Sequence, residues 1–113
     1  MAGYRGGMGG AQGMQNLMKQ AQKMQEEMRE TEALLDDWEI VGTAGGEAVV
    51  VYMNAKKKID GIEIDKSVID PEDVEMLEDL ILAAINDGYK KADAVFEEKM
   101  GKFGGLGGMG GLL

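Results

Sequence analysis

Residues 38–65 read WEIVGTAGGEAVVVYMNAKKKIDGIEID, and within them β-branched and aromatic side chains gather in three short runs. The runs are Trp38 to Ala44, Ala48 to Asn54 and Lys57 to Asp65, a composition and length that predict strands. Gly45-Gly46 is a hairpin signal between the first two, and Asn54-Ala55-Lys56 offers a second turn. In the third run Ile62 and Ile64 share a face while Ile59 is out of phase, so a bulge is expected at Gly61. The economical arrangement is a three-stranded antiparallel meander.

On the N-terminal side of this stretch, Met14, Leu17, Ala21, Met24, Met28, Thr31 and Leu35 alternate steps of three and four, which is a heptad seam. It predicts a long amphipathic helix over 14–37, about 36 Å from end to end. On the C-terminal side, Asp70-Pro71-Glu72-Asp73 predicts a helix start, with Asp70 as N-cap, Pro71 at the first position and acids at the positive end of the helix dipole. This second helix is expected from Pro71 to about Lys102. Val74, Leu77, Ile81, Ala84, Val95 and Phe96 are assigned to its apolar face, and Gly88 is a weak point costing about 1 kcal/mol relative to alanine. The predicted fold class is α+β, with the subunit order α-β-β-β-α.

Residues 1–13 contain six glycines and residues 101–113 contain seven. Such ends lose backbone entropy on folding without supplying apolar surface, so flexible tails are expected over 1–13 and 103–113, around a folded domain of 14–102. Lengths then bear on assembly. A compact chain of this size has a radius of gyration near 13 Å, whereas a helix over 71–102 would be about 48 Å long. One copy cannot wrap it, and a lone three-stranded sheet leaves edges that invite pairing. A homodimer, joined through sheets or helix flanks about a two-fold axis, answers both problems.

Composition narrows the chemistry. The chain has no histidine and no cysteine, and Ser67 is its only serine, which removes the usual zinc ligands, a thiol nucleophile and any Ser-His pair. No enzyme activity, cofactor or metal is expected. Ten methionines include Met14, Met18, Met24 and Met28 on the first helix. That stripe reads first as an adaptable packing face, then as a groove for apolar partner segments, and only weakly as a soft-metal site. Gly105 to Gly110 matches a G-x-G-x-x-G pattern but follows a helix and opens none, so it is not a dinucleotide site. Asp60, Glu63 and Asp65 mark a wet sheet face rather than a magnesium site. No signal-peptide pattern follows Met1, and the longest apolar runs, Ala48 to Met53 and Leu80 to Ile85, fall far short of the roughly 20 residues of a membrane span. A cytoplasmic protein without membrane contact is expected.

The stretch Met14-Gln15-Asn16-Leu17-Met18-Lys19-Gln20-Ala21-Gln22-Lys23-Met24-Gln25-Glu26 resembles the opening helix of the YbaB/EbfC family. Asp70-Pro71-Glu72-Asp73 and the run from Leu77 to Asp87 are similar to that family's second helix. The resemblance covers roughly residues 14–102 and implies an α-β-β-β-α subunit and a tweezer-like homodimer with a central sheet. It also implies a bacterial nucleoid-associated protein that binds double-stranded DNA with little sequence preference.

A net charge of −9 runs against duplex binding, whose affinity comes largely from lysine and arginine displacing counterions from phosphates. Its distribution reverses the objection. Residues 1–25 carry Arg5, Lys19 and Lys23, residues 99–113 carry Lys99 and Lys102, and neither segment has an acid; residues 26–98 sum to −14. With the two helices antiparallel, the start of the first and the end of the second are expected together at a far tip, several Debye lengths from the acidic base. Lys19, Lys23, Lys99 and Lys102 are the expected phosphate contacts. Lys56-Lys57-Lys58 is the densest basic cluster, but its place at a turn into a strand reads first as an edge guard and second as a phosphate contact. The rival function is a protein-interaction or chaperone-like adaptor that uses the methionine stripe and the acidic body.

Overall fold

The computed structural model describes residues 2–103, with backbone alone for residues 2–11. Helix α1 (Ala2–Asp37) leads into strands β1 (Glu39–Ala44), β2 (Val49–Asn54) and β3 (Ile59–Ile64). A 3-10 turn at Lys66–Val68 precedes helix α2 (Val74–Met100), and another at Gly101–Phe103 follows it. The strands form one antiparallel sheet in the order β1-β2-β3, the expected meander.

Each hairpin follows from its turn residues. Gly45 and Gly46 have φ of +63° and +64°, which glycine adopts without penalty, and Glu47 follows at +72°. At the second turn the buried Asn54 side chain accepts hydrogen bonds from the Lys56 and Lys58 amides, at 2.9 and 3.0 Å. The Ala55 amide donates to the Leu35 carbonyl at 3.2 Å, tying the end of α1 to this turn. Gly61 was expected to host the bulge. The extra residue is instead Asp60, since Gly61 pairs with Tyr52 and Ile59 with Met53.

Helix α2 packs on β1 and β2 and barely reaches β3. Ile40, Val49, Val51 and Met53 are buried beneath it, and Ala84 and Ala92 are fully buried on its own side. Gly88 is no weak point. A Cβ on Gly42 would overlap the Ala84 carbonyl oxygen and lie 2.6 Å from the Gly88 amide nitrogen, while one on Gly88 would strike the end of Met53. The pair of glycines lets the helix backbone rest directly on strand β1. Two residues assigned to the apolar face of α2 lie outside the core instead: Val74 is 52% and Phe96 39% exposed.

Two other expectations are corrected. Helix α2 begins at Val74 rather than Pro71, because Asp73 accepts from the Met76 amide and is the cap. Asp70 to Asp73 is a β-turn in which the Asp73 amide donates to the Asp70 carbonyl at 3.0 Å; proline and aspartate suit the first positions of a turn as well as those of a helix. Helix α1 begins at Ala2, twelve residues before the predicted start at Met14. Extending a formed helix requires no new nucleus, which offsets the poor propensity of glycine. The C-terminal tail lies outside the described residues, except for Phe103, which is buried.

The molecule is long. Its principal extents are 86 × 26 × 17 Å and its radius of gyration is 22.9 Å, against about 13 Å for a compact chain of this length. Most of α1 stands free: Met14 and Leu17 on its seam, and Met18 beside it, are 60% exposed or more, and among the described side chains of the helix Leu35 at its base is the one fully buried.

Candidate nucleic-acid interface

The four expected phosphate contacts fall into two groups. Lys19 and Lys23 are one turn apart on the exposed part of α1. Together with Gln22, Gln25, Glu26 and Arg29 they line a shallow polar trough along the helix. Lys99 is half-buried with its ammonium 5.3 Å from the centre of the Trp38 ring, and Lys102 stands 5.1 Å over Phe103 and 4.0 Å from a Glu27 carboxylate oxygen.

This geometry corrects the expected far tip. The end of α2 meets α1 at the level of Glu27, about 12 Å along the helix axis from Lys19. The outer part of α1 therefore projects alone, and Lys99 and Lys102 sit near its root. Lys23 and Lys102 come to neighbouring turns; Lys19 and Lys99 do not meet.

The Lys56-Lys57-Lys58 cluster is largely committed to the fold. Lys56 pairs with Asp36 of α1 at 3.4 Å, and Lys57 pairs with Asp93 of α2 at 2.6 Å while lying 5.6 Å from the centre of the Tyr89 ring. These contacts fasten the second turn to both helices. Among the described residues no cluster of three or more acids is placed to hold a metal ion, and no helix is long and apolar enough to cross a membrane.

The family model of the YbaB/EbfC DNA-binding family matches residues 8–109. The chain belongs to that family. A nucleoid-associated protein of Alkaliphilus metalliredigens is 48% identical over 106 residues, covering 94% of this chain and 93% of its own. One from Clostridium novyi is 52% identical over 101 residues, covering 88% and 89%. The crystal structure of an uncharacterized protein from Helicobacter pylori is similar at a TM-score of 0.66 and 28% identity, covering 80% of this chain and 92% of that one. The α-β-β-β-α order expected from the YbaB/EbfC resemblance is the order observed.

On this YbaB/EbfC scaffold, sequence reasoning missed Arg29. It is exposed and shares the trough of Lys19 and Lys23. The signal was present, since Arg29 lies seven residues, two turns, after Gln22 on the same helix side. Dividing the charge at residue 25 hid it among the neighbouring acids Glu26, Glu27 and Glu30.

Proposed function

We propose that the chain acts in the nucleoid as a homodimer that binds double-stranded DNA with little sequence preference and catalyses no reaction. Through such binding it influences nucleoid organisation and gene expression. The observation that carries this reading is the outer part of α1, a helical arm with exposed lysines and no acid before Glu26, projecting from an acidic body. Lys19 and Lys23 make the main phosphate contacts, with Arg29 beside them and Lys99 and Lys102 at the root of the arm. Low sequence preference follows, because phosphate contacts fix position on a duplex without reading base edges. Membership of a DNA-binding family and the nucleoid-associated relatives support the same reading.

A mobility-shift titration of a labelled duplex tests the arm. Lys19→Glu combined with Lys23→Glu should weaken binding roughly tenfold or more by reversing charge at the phosphates, whereas Lys66→Glu in the body should leave it near wild type. Equal effects of the two changes would remove the arm from the interface. The adaptor reading has its own support in the exposed Met14, Leu17, Met18 and Met24. A folded wild-type protein that binds no duplex at low salt would favour it.

A further inference from the structure

The seam of α1 is covered at its base and bare beyond. Leu35 is fully buried and Thr31 and Met28 are half-buried, whereas Met24 is 43%, Leu17 65% and Met14 64% exposed, with Ala21 exposed between them. The change falls at the level where α2 comes to its end, since Lys102 Nζ lies 4.0 Å from Glu27 and the next residue, Phe103, is buried. Beyond that level the stripe leaves methionine and leucine side chains in water, which is unfavourable in proportion to their apolar area.

From Phe103 the sequence reads FGGLGGMGGLL. Phe103, Leu106, Met109 and Leu112 fall at every third position, with two glycines in each interval. Three residues of extended chain advance about 9–10 Å and, in an extended helix of three residues per turn, bring the side chain back to the same side. Seven residues of α-helix, one repeat of the seam, advance about 10 Å. The two repeats therefore match in length. Counted outward from the level of Glu27 and Met28, they set Leu106 over Ala21, in the gap between Met24 and Leu17, and Met109 at Met14. Met14 is about 20 Å along the helix from Glu27, and the ten residues after Phe103 span up to about 33 Å. Glycine in the intervals has no Cβ to hold the backbone away from the helix. Residues 104–113 carry no charged side chain, as suits an apolar seat.

We propose that residues 103–112 lie along the outer seam of the same chain's α1, with Leu106 and Met109 as the anchoring side chains. The occupant of the methionine stripe is then the chain itself rather than another protein. Lys19 is about 160° and Lys23 about 120° around the helix from Leu17, so the seat leaves the trough of Lys19, Lys23 and Arg29 open. It depends on neither DNA binding nor a second copy.

The chain has no cysteine, so Gly110→Cys provides a single site for a nitroxide label, whose position the methionine methyl signals report by NMR. In the seated chain broadening should be strongest at Met14, weaker at Met24 and absent at Met53, which lies in the core with Leu35, about 30 Å along the helix from Met14. Leu106→Ser with Met109→Ser should at least halve the broadening at Met14. Stronger broadening at Met24 and Met28 than at Met14, or a Met14 signal indifferent to the serine changes, would overturn the seat. After co-refolding of isotope-labelled chains with nitroxide-bearing, isotope-free ones, Met14 should stay sharp; broadening there would place the segment on a second copy and overturn the within-chain seat. A chain shortened to Phe103, its fold checked by circular dichroism, gives a second readout. Hydrogen peroxide should convert its Met14 and Met24 to sulfoxide several-fold faster than in the full chain, with Met53 unchanged, and equal rates at Met14 would contradict the proposal.

Discussion

Gly42 and Gly88 are 46 positions apart in the chain, and neither declares its role in the sequence. Gly42 looks like a gap in a strand, and Gly88 looks like a flaw in a helix. Their purpose is visible only when the backbones of β1 and α2 touch. Gly42→Ala should therefore cost about 2 kcal/mol or more, because the added methyl meets backbone that cannot turn aside. Gly88→Ala should cost less, since its nearest obstacle is the flexible end of Met53. Urea unfolding midpoints rank the two, and a neutral Gly42→Ala would contradict the close seat. Asp87 gives a second test at this scale. The Thr43 amide, and then Lys91, hold its carboxyl below the usual 3.8. A carboxylate favoured in the native state stabilises the fold fully above its unfolded value and loses that contribution as pH falls through the lower native one. Wild type should lose stability below about pH 4, and Asp87→Asn should flatten that part of the profile. Profiles that superimpose below pH 4 would remove Asp87 from the linkage. Arg29→Ala should lower duplex affinity roughly two- to fivefold, as expected of an exposed ion pair.

Among the elements, those governed by local pattern were legible. The heptad spacing of α1 from Met14, the Gly45-Gly46 hairpin and the alternation in β1 and β2 each report on neighbouring residues, and each is found. Where two local devices competed, the sequence could not choose. Asp70 and Asp73 both offer a cap oxygen, and the structure gives the turn to the first and the helix to the second. Asp73→Ala should cost about 1 kcal/mol, the usual loss for an N-cap, and Asp70→Ala less; thermal unfolding of the two variants gives the order. The candidate site was half legible for a related reason. The lysines of α1 could be placed by helical period, but the level at which α2 ends against α1 depends on tertiary packing. Lys99 and Lys102 were thus set too far out along the arm.

For the whole molecule, the separation of charge explains how an acidic protein reaches a polyanion. Residues 26–98 sum to −14, whereas residues 1–25 hold no acid, and Lys19 stands about 10 Å along α1 from Glu26, past the roughly 8 Å over which salt screens charge at physiological strength. Lysine contact with phosphate is also the part of the account that salt reads most directly. The deciding measurement is duplex affinity, by fluorescence anisotropy, as a function of salt concentration. In the proposed homodimer, two arms, each placing two lysines on phosphates, predict that log K falls linearly with log salt with a slope of about −4. Affinity that hardly changes with salt would contradict phosphate contact by the arms.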